Sequence, residues 1–270
     1  MKKFFWISIV LISLLMCKQV YSIKDKDTKP IAVVVKVKGE VIILRAENKF
    51  KAEIYMPLYV KDKVKTGSYS TMELIFDSGV SFKIEENCEI KIIDIVTKMS
   101  DDKRVSKLDI EVEIDKGGVL VDAKTIPSQY KLNSLKIFTP TATAAVRGTV
   151  FYTEVKDDGR TDLAVFEGEI ESYVGKTENM DNFTNRTIIK NDQQTSINDQ
   201  TTVPSIVDLT SEMKEYKNTV VKSFIAEVEF YRKRIETLKQ KRNEWINKNK
   251  SDFEKNVEEK KKNFKKKFLK

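Results

Sequence analysis

Thr139-Pro140-Thr141-Ala142-Thr143-Ala144-Ala145-Val146-Arg147-Gly148-Thr149-Val150-Phe151 gathers small residues, one proline, one arginine and one glycine between two runs that alternate like ordinary strands. Pro140 fixes its own φ and pushes Thr139 towards extended backbone, so the strand from Leu135 to Phe138 is expected to end there. A turn or crossing follows. Ala142, Ala144 and Ala145 let another segment approach closely, and Gly148 supplies the φ freedom needed where the chain re-enters a strand at Thr149. Arg147 is the only large side chain in the crossing, and its planar fork of donors suits either turn carbonyls, which it would pin, or the anionic group of a ligand.

On either side the pattern is that of short strands. Ile31 to Arg45 carries the β-branched runs Val33-Val34-Val35 and Val41-Ile42-Ile43-Leu44, split at Lys38-Gly39-Glu40. Ser70 to Asp77 alternates and turns at Asp77-Ser78-Gly79 into Val80, Phe82 and Ile84, a hairpin. Ile90 to Val96 and Lys107 to Asp115 make another pair. In the latter, Leu108, Ile110, Val112 and Ile114 line one face and Asp109, Glu111, Glu113 and Asp115 the other, so one face is buried and one is wet. Gly117-Gly118 is expected to turn the chain into Val119 to Val121, and Pro127 interrupts the next loop. Strands follow at Val150 to Val155, Thr161 to Phe166, Glu169 to Val174, Thr187 to Lys190 and Gln194 to Ile197, with a polar loop from Lys176 to Asn185. Short strands with hairpin turns and no helical period predict a mainly β fold, a sandwich or rolled antiparallel sheets.

The central run resembles the signature of the FecR domain family, close to T-P-T-A-x-A-x-V-R-G-T-x-F, then a hairpin and a V-x-E-G-x-V segment. Thr139, Pro140, Thr141, Ala142, Arg147, Gly148, Thr149 and Phe151 fill the first part, and Glu167 and Gly168 the second. The hairpin between them runs from Thr153 to Ala164, with Asp157-Asp158-Gly159 at its tip. Upstream, Lys63-Val64-Lys65-Thr66-Gly67, Leu74 to Gly79 and Ile84 to Ile92 are similar to the family's rhythm of D-x-V-x-T-G, L-x-x-D-G-S and L-x-x-N-T-x-I. The resemblance covers roughly Ile31 to Ile197 and implies a predominantly β domain whose motif residues are structural. In the family's namesake this domain is the periplasmic part of a regulator that senses a loaded outer-membrane iron transporter and signals to a sigma factor. What the resemblance implies here is sensing or binding in the envelope, without the namesake's cytoplasmic anti-sigma region.

The two ends differ from the middle. Lys2 and Lys3 precede an apolar run from Phe4 to Cys17, too short for a comfortable span, so residues 1–22 read as an export signal cleaved after Ser22. The alternative is lipidation at Cys17, against which bulky Met16 stands; residues 23–30 are a charged linker. All nine glycines lie between Gly39 and Gly175 and the last proline is Pro204, so the sheet domain 31–197 gives way, after a linker 198–209, to an uninterrupted helix over 210–270. Val221, Phe224, Val228, Tyr231, Ile235, Leu238 and Trp245 recur at heptad spacing, with Arg242 the polar exception, and form a coiled-coil seam. Phe253, Val257, Phe264 and Phe268 continue it one step round. Such a helix must pair with itself, dock back on the β domain or meet a partner, which leaves a homo-oligomer or an envelope protein as its partner. From Ser211 onward there are 19 Lys and Arg against 10 Asp and Glu, and Lys260 to Lys270 holds seven lysines and no acid. That end suits anionic lipid or an envelope polymer; export sets nucleic acid aside.

Catalytic chemistry finds little support. The chain has no histidine, which removes the usual general base and the commonest zinc ligand, and it has no phosphate loop or dinucleotide fingerprint. No catalytic, metal or cofactor residues are assigned, and no cofactor is expected. Glu167, Glu169 and Glu171 would share a strand face if the chain stayed extended through Gly168, the basis for a carboxylate-dependent polysaccharide hydrolase. Alternating acids, like Asp157-Asp158 at a hairpin tip, more simply mark a solvent face. The reading is a non-catalytic exported envelope protein, with a recognition or scaffold β domain and a basic helix for oligomerisation or attachment; a coiled-coil stalk is the structural alternative.

Overall fold

The computed structural model describes residues 29–99, 106–125, 130–175, 186–199, 201, and 203–250. The export signal 1–22, Pro127, the loop 176–185, the stripe from Phe253 to Phe268 and the basic end Lys260 to Lys270 lie outside the described residues.

In chain order the strands are β1 (Ala32–Lys38), β2 (Val41–Arg45), β3 (Asn48–Lys51), β4 (Pro57–Leu58), β5 (Lys63–Thr66), β6 (Thr71–Phe76), β7 (Ser81–Ile84) and β8 (Glu89–Met99). The long β9 (Ser106–Asp122) follows, then β10 (Tyr130–Phe138), β11 (Ala142–Val146), β12 (Val150–Val155), β13 (Thr161–Glu167), β14 (Glu169–Val174), β15 (Arg186–Lys190), β16 (Gln193–Ile197) and β17 (Ile206–Asp208). They make two sheets that share β9. The first runs β4-β1-β6-β7-β9-β12-β13-β16-β17. The second runs β3-β2-β5-β8-β9-β10-β11-β14-β15. The pairing of β9 with β10 is parallel; the others are antiparallel.

β9 changes sheets at Gly117. Ser106 to Lys116 pairs with β8, and Gly117 to Asp122 pairs with β12, so the glycine pair bends the strand instead of turning the chain back as expected. Gly117 sits at φ +80°, and a Cβ there would come within 2.6 Å of the Cys88 Cα. A methyl group on Gly118 would overlap the Tyr152 hydroxyl. The two glycines therefore answer a change of direction and a close approach, two demands that no larger side chain meets here. The alanine run corrects a second expectation. Ala142 to Val146 is the strand β11, hydrogen-bonded to β10 on one side and β14 on the other, not an irregular crossing.

The inner faces of the two sheets meet in one core. Ala32, Val34, Leu74, Phe82, Val121 and Phe151 come from the first sheet; Ile43, Val64, Ile92, Ile110, Ile137 and Ala144 come from the second. Phe76 and Phe82 pack edge to face at 5.3 Å. Ala142 and Ala144 are buried in this core, where their small side chains let β11 fit between its neighbours.

The first sheet is apolar on its outer face as well. A helix covers it. Thr210 caps the start, its hydroxyl accepting from Met213 N at 3.3 Å. α1 (Ser211–Tyr216) then passes through a π-helical turn, Lys217–Val221, into α2 (Lys222–Arg232), and after a turn at 233–234 α3 continues over residues 235–250. Val221, Phe224 and Val228 pack on Leu120, Val150, Ala164 and Phe166. Tyr231, Ile235 and Leu238 pack on Val33, Val35 and Ile75, and Trp245 reaches the main core. The apolar stripe read as a coiled-coil seam thus meets the chain's own sheet where a stalk would place a second helix.

Candidate functional site

The family-like motif is built around a chain of threonine hydroxyls at one end of the sandwich. β10 stops at Phe138, and Thr139 N donates to Ala142 O at 2.9 Å, closing the tight turn that Pro140 imposes. Thr139 Oγ1 accepts from Ala142 N at 2.9 Å and lies 2.7 Å from Thr161 Oγ1; Thr141 Oγ1 lies 2.8 Å from Thr161 Oγ1 and 3.1 Å from Ile197 O. All three hydroxyls are buried. Run in one direction, Thr141 donates to Thr161, Thr161 to Thr139 and Thr139 to Ala142 O, so every donor finds an acceptor. The chain ties the β10–β11 turn of the second sheet to β13 and β16 of the first. Thr143 Oγ1 adds a bond to Gly175 O at 3.0 Å.

At the other end of the motif the pin is Thr149. Its Oγ1 lies 3.1 Å from Arg147 O and 2.8 Å from Glu169 O. Arg147 was the residue expected to hold these carbonyls; its side chain is exposed and makes no hydrogen bond or ion pair among the described residues. Gly148 adopts φ +64° with open space around it, so backbone freedom alone requires glycine there. Gly168, at φ +85°, breaks the chain between β13 and β14. Glu167 therefore ends a strand of the first sheet, while Glu169 and Glu171 lie on the second, and the three do not share a face. Lys124 takes Glu167 at 2.7 Å, and Glu171 accepts from Arg186 at 2.9 Å and from Tyr173 Oη at 2.8 Å. Asp157, at the hairpin tip, pairs with Lys116 at 2.6 Å, which holds its carboxyl below the usual range. The hydrolase reading loses its carboxylate pair.

Upstream, Asp62 is a buried anchor that sequence reasoning passed over. Arg45 clamps it with two 2.8 Å bonds, from Nε and Nη2, and Tyr59 N adds a third at 2.9 Å. The guanidinium also stacks 4.2 Å from the Tyr59 ring. Thr66 Oγ1 accepts from Cys88 N at 2.9 Å and donates to Glu85 O at 2.6 Å, fastening the β7–β8 turn. Cys88 is buried, and burial pushes its thiol up to about 12.

The helix reaches the same sheet through charged clamps. Arg232 Nη2 and Nη1 lie 2.9 and 3.0 Å from the carboxylate of Asp122, which is fully buried, and the same guanidinium donates to Gly79 O and Lys124 O, both at 3.0 Å. Arg242, the polar exception in the seam, bonds Asp77 at 2.6 and 3.2 Å. Lys217 bridges to Asp192 at 2.6 Å, Tyr216 Oη donates to Glu85 at 2.9 Å, and Trp245 Nε1 donates to Glu53 at 3.1 Å. Tyr216 also packs on Tyr152 and Phe166, with ring centroids 5.3 and 6.1 Å apart. Burial raises the phenols of Tyr152 and Tyr216, which stay neutral. A shallow groove of about 170 Å³ beside the helix start is lined by Glu154, Lys156, Gln194 and Thr210 among others. Among the described residues no group of acids and cysteines is arranged to hold a metal ion.

Residues 62–171 match the family model described as FecR protein. Over these residues the chain is similar to a FecR domain. The match begins at the buried Asp62 and ends at Glu171, so the threonine chain, the Thr149 pin and the β9 crossing all fall within it or on its border. No curated protein matches the chain. Two crystal structures of a candidate anti-sigma factor from Parabacteroides distasonis ATCC 8503 are similar at 11% identity, with TM-scores of 0.40 and 0.38. Each covers 57% of this chain, and the chain spans 63% and 62% of theirs. β1 to β4 and β15 to β17 lie outside the matched FecR segment but inside the same two sheets, and the helix grips the segment at Asp77, Gly79, Asp122 and Lys124. No helix among the described residues is long and apolar enough to cross a membrane.

Proposed function

We propose that this chain is a non-catalytic recognition module of the bacterial cell envelope, exported by residues 1–22 and using its FecR domain to bind a protein partner. The observation that carries the reading is the FecR match itself, set on a sheet whose carboxylates are spent on structural ion pairs and not on one another. The apolar stripe of the described helix, 211–250, packs on the chain's own sheet, which favours attachment over a coiled-coil stalk as the role of this end. Attachment falls to the seven lysines of 260–270, which suit anionic lipid or an acidic envelope polymer. The outer face of the second sheet offers the recognition surface; its ion pairs, among them Lys63 with Glu89 and Lys136 with Glu111, are partly open to solvent, where they can exchange for contacts with a partner.

The test is made in the native host. A tagged full chain carries a photo-crosslinking residue at Lys65 or Lys136 on that face, or at Phe230 on the exposed side of the helix. The expected result is a processed chain in the envelope fraction, with a discrete protein adduct from the first two positions. A chain that keeps residues 1–22 and stays in the cytoplasm, or adducts only from Phe230, overturns the reading.

A further inference from the structure

Among the described residues, Glu73 is the one buried carboxylate at the helix interface that lacks a full set of partners. It sits on β6 facing α2, with its side chain 5% exposed, and its Oε2 makes no hydrogen bond. Its Oε1 lies 3.4 Å from Lys36 Nζ on β1. The same ammonium is already taken: Glu227 on α2 receives two bonds from it, at 2.8 and 3.1 Å. Two carboxylates from opposite sides of the interface thus share one cation. Lys83 on β7 is the other cation facing Glu73, but it is engaged by Glu85, and Tyr231 on α2 brings only a neutral phenol. When both acids are ionised the cluster holds one negative charge more than it can satisfy, and the unmet share falls on Glu73, the buried member, while Lys36 and Glu227 keep contact with water.

We propose that Lys36, Glu73 and Glu227 form a proton-operated latch on the covering helix: taking up one proton seats α2 on the sheet, and losing it loosens α2. Burial, then the charge of Glu227, hold the Glu73 carboxyl above its ordinary value against the pull of Lys36. For a carboxylate raised in the docked state, the stabilisation is full below the undocked pKa and is lost as pH rises through the docked one. The helix is therefore held most firmly in mildly acidic surroundings. Loosening it uncovers Leu120, Val150 and Phe166, apolar side chains that then face water.

Hydrogen exchange on the full chain tests this. The readout is the protection of α2 amides relative to β9 amides in the same sample, each corrected for its intrinsic rate, across about pH 5 to pH 8. One linked proton predicts that the wild-type ratio falls as pH rises from the undocked towards the docked pKa of Glu73, by at most about tenfold per pH unit, and levels off above the docked one. Glu73→Gln, the same shape without the charge, should hold the ratio high and flat; Glu227→Gln, on the half-exposed side of the helix, should shrink the slope even if the first variant folds poorly. A flat wild-type ratio, or a wild-type slope that survives in both variants, overturns the latch.

Discussion

Single side chains carry most of the order where the helix meets the sheet. Arg232 is 8% exposed and Asp122 is fully buried. Arg232→Met should therefore cost about 3–5 kcal/mol in urea unfolding, because it strands a buried charge and leaves Gly79 O and Lys124 O without a donor. A hydroxyl matters in the same way on a smaller scale. Thr161→Val keeps the shape of the side chain but cuts the hydroxyl chain in the middle, leaving Thr141 to its longer bond with Ile197 O and Thr139 with only Ala142 N as donor; a loss of about 1–3 kcal/mol is expected from thermal unfolding. The Cys88 thiol, with its pKa pushed up to about 12, should ignore thiol reagents in the native chain at pH 8 and react fully in denaturant. Rapid labelling of folded protein would contradict the burial described.

Among elements, the helix is where sequence and structure part most instructively. Phe224→Ala is expected to lose about 3–5 kcal/mol, read from urea unfolding, because a large ring leaves a packed interface with Val150 and Phe166. The stripe from Val221 to Trp245 was legible from its spacing alone, since heptad recurrence marks an apolar face whatever that face touches. Its partner was not legible from the helix. The signal lay in the strands: Val33-Val34-Val35, Val119-Leu120-Val121 and Ala164-Val165-Phe166 do not alternate, and a strand that stays apolar at successive positions is covered on both faces. By contrast, Leu108 to Asp115 alternates cleanly and faces water on one side, as its pattern said. The motif was legible as a constraint, yet its wiring was not: Arg147 stood out by size, while the buried contacts came from Thr139, Thr141, Thr161 and Thr149, whose small hydroxyls give no periodic signal. Gly117-Gly118 misled for a related reason, because a glycine pair looks the same whether it reverses the chain or lets one strand bend past Cys88.

For the whole molecule, a covered outer face predicts behaviour opposite to that of a stalk. A stalk would fall from oligomer to monomer when its helix is cut away. Here a chain ending at Pro204 should instead associate or precipitate, because Val33, Val35, Ile75, Leu120, Val150 and Phe166 would all be bared. Light scattering on a sizing column distinguishes the two, and a well-behaved monomeric truncation would mean that the helix contributes little.

The double membership of β9 reaches beyond the finished structure to the order in which it is made. A ribosome releases residues at about 5–20 per second, N-terminus first. When β9 emerges, its first half can find β8 and its second half β7, but the partners on the other side, β10 and β12, are still to come. Until Val155 has been delivered, a long apolar strand stands with one unpaired edge in each half of the nascent protein, a period of exposure that a chaperone or an unfolded route out of the cell would shorten. A nascent chain stalled at residue 140 should be digested readily by added protease, whereas one extended past the last sheet residue, Asp208, should resist it.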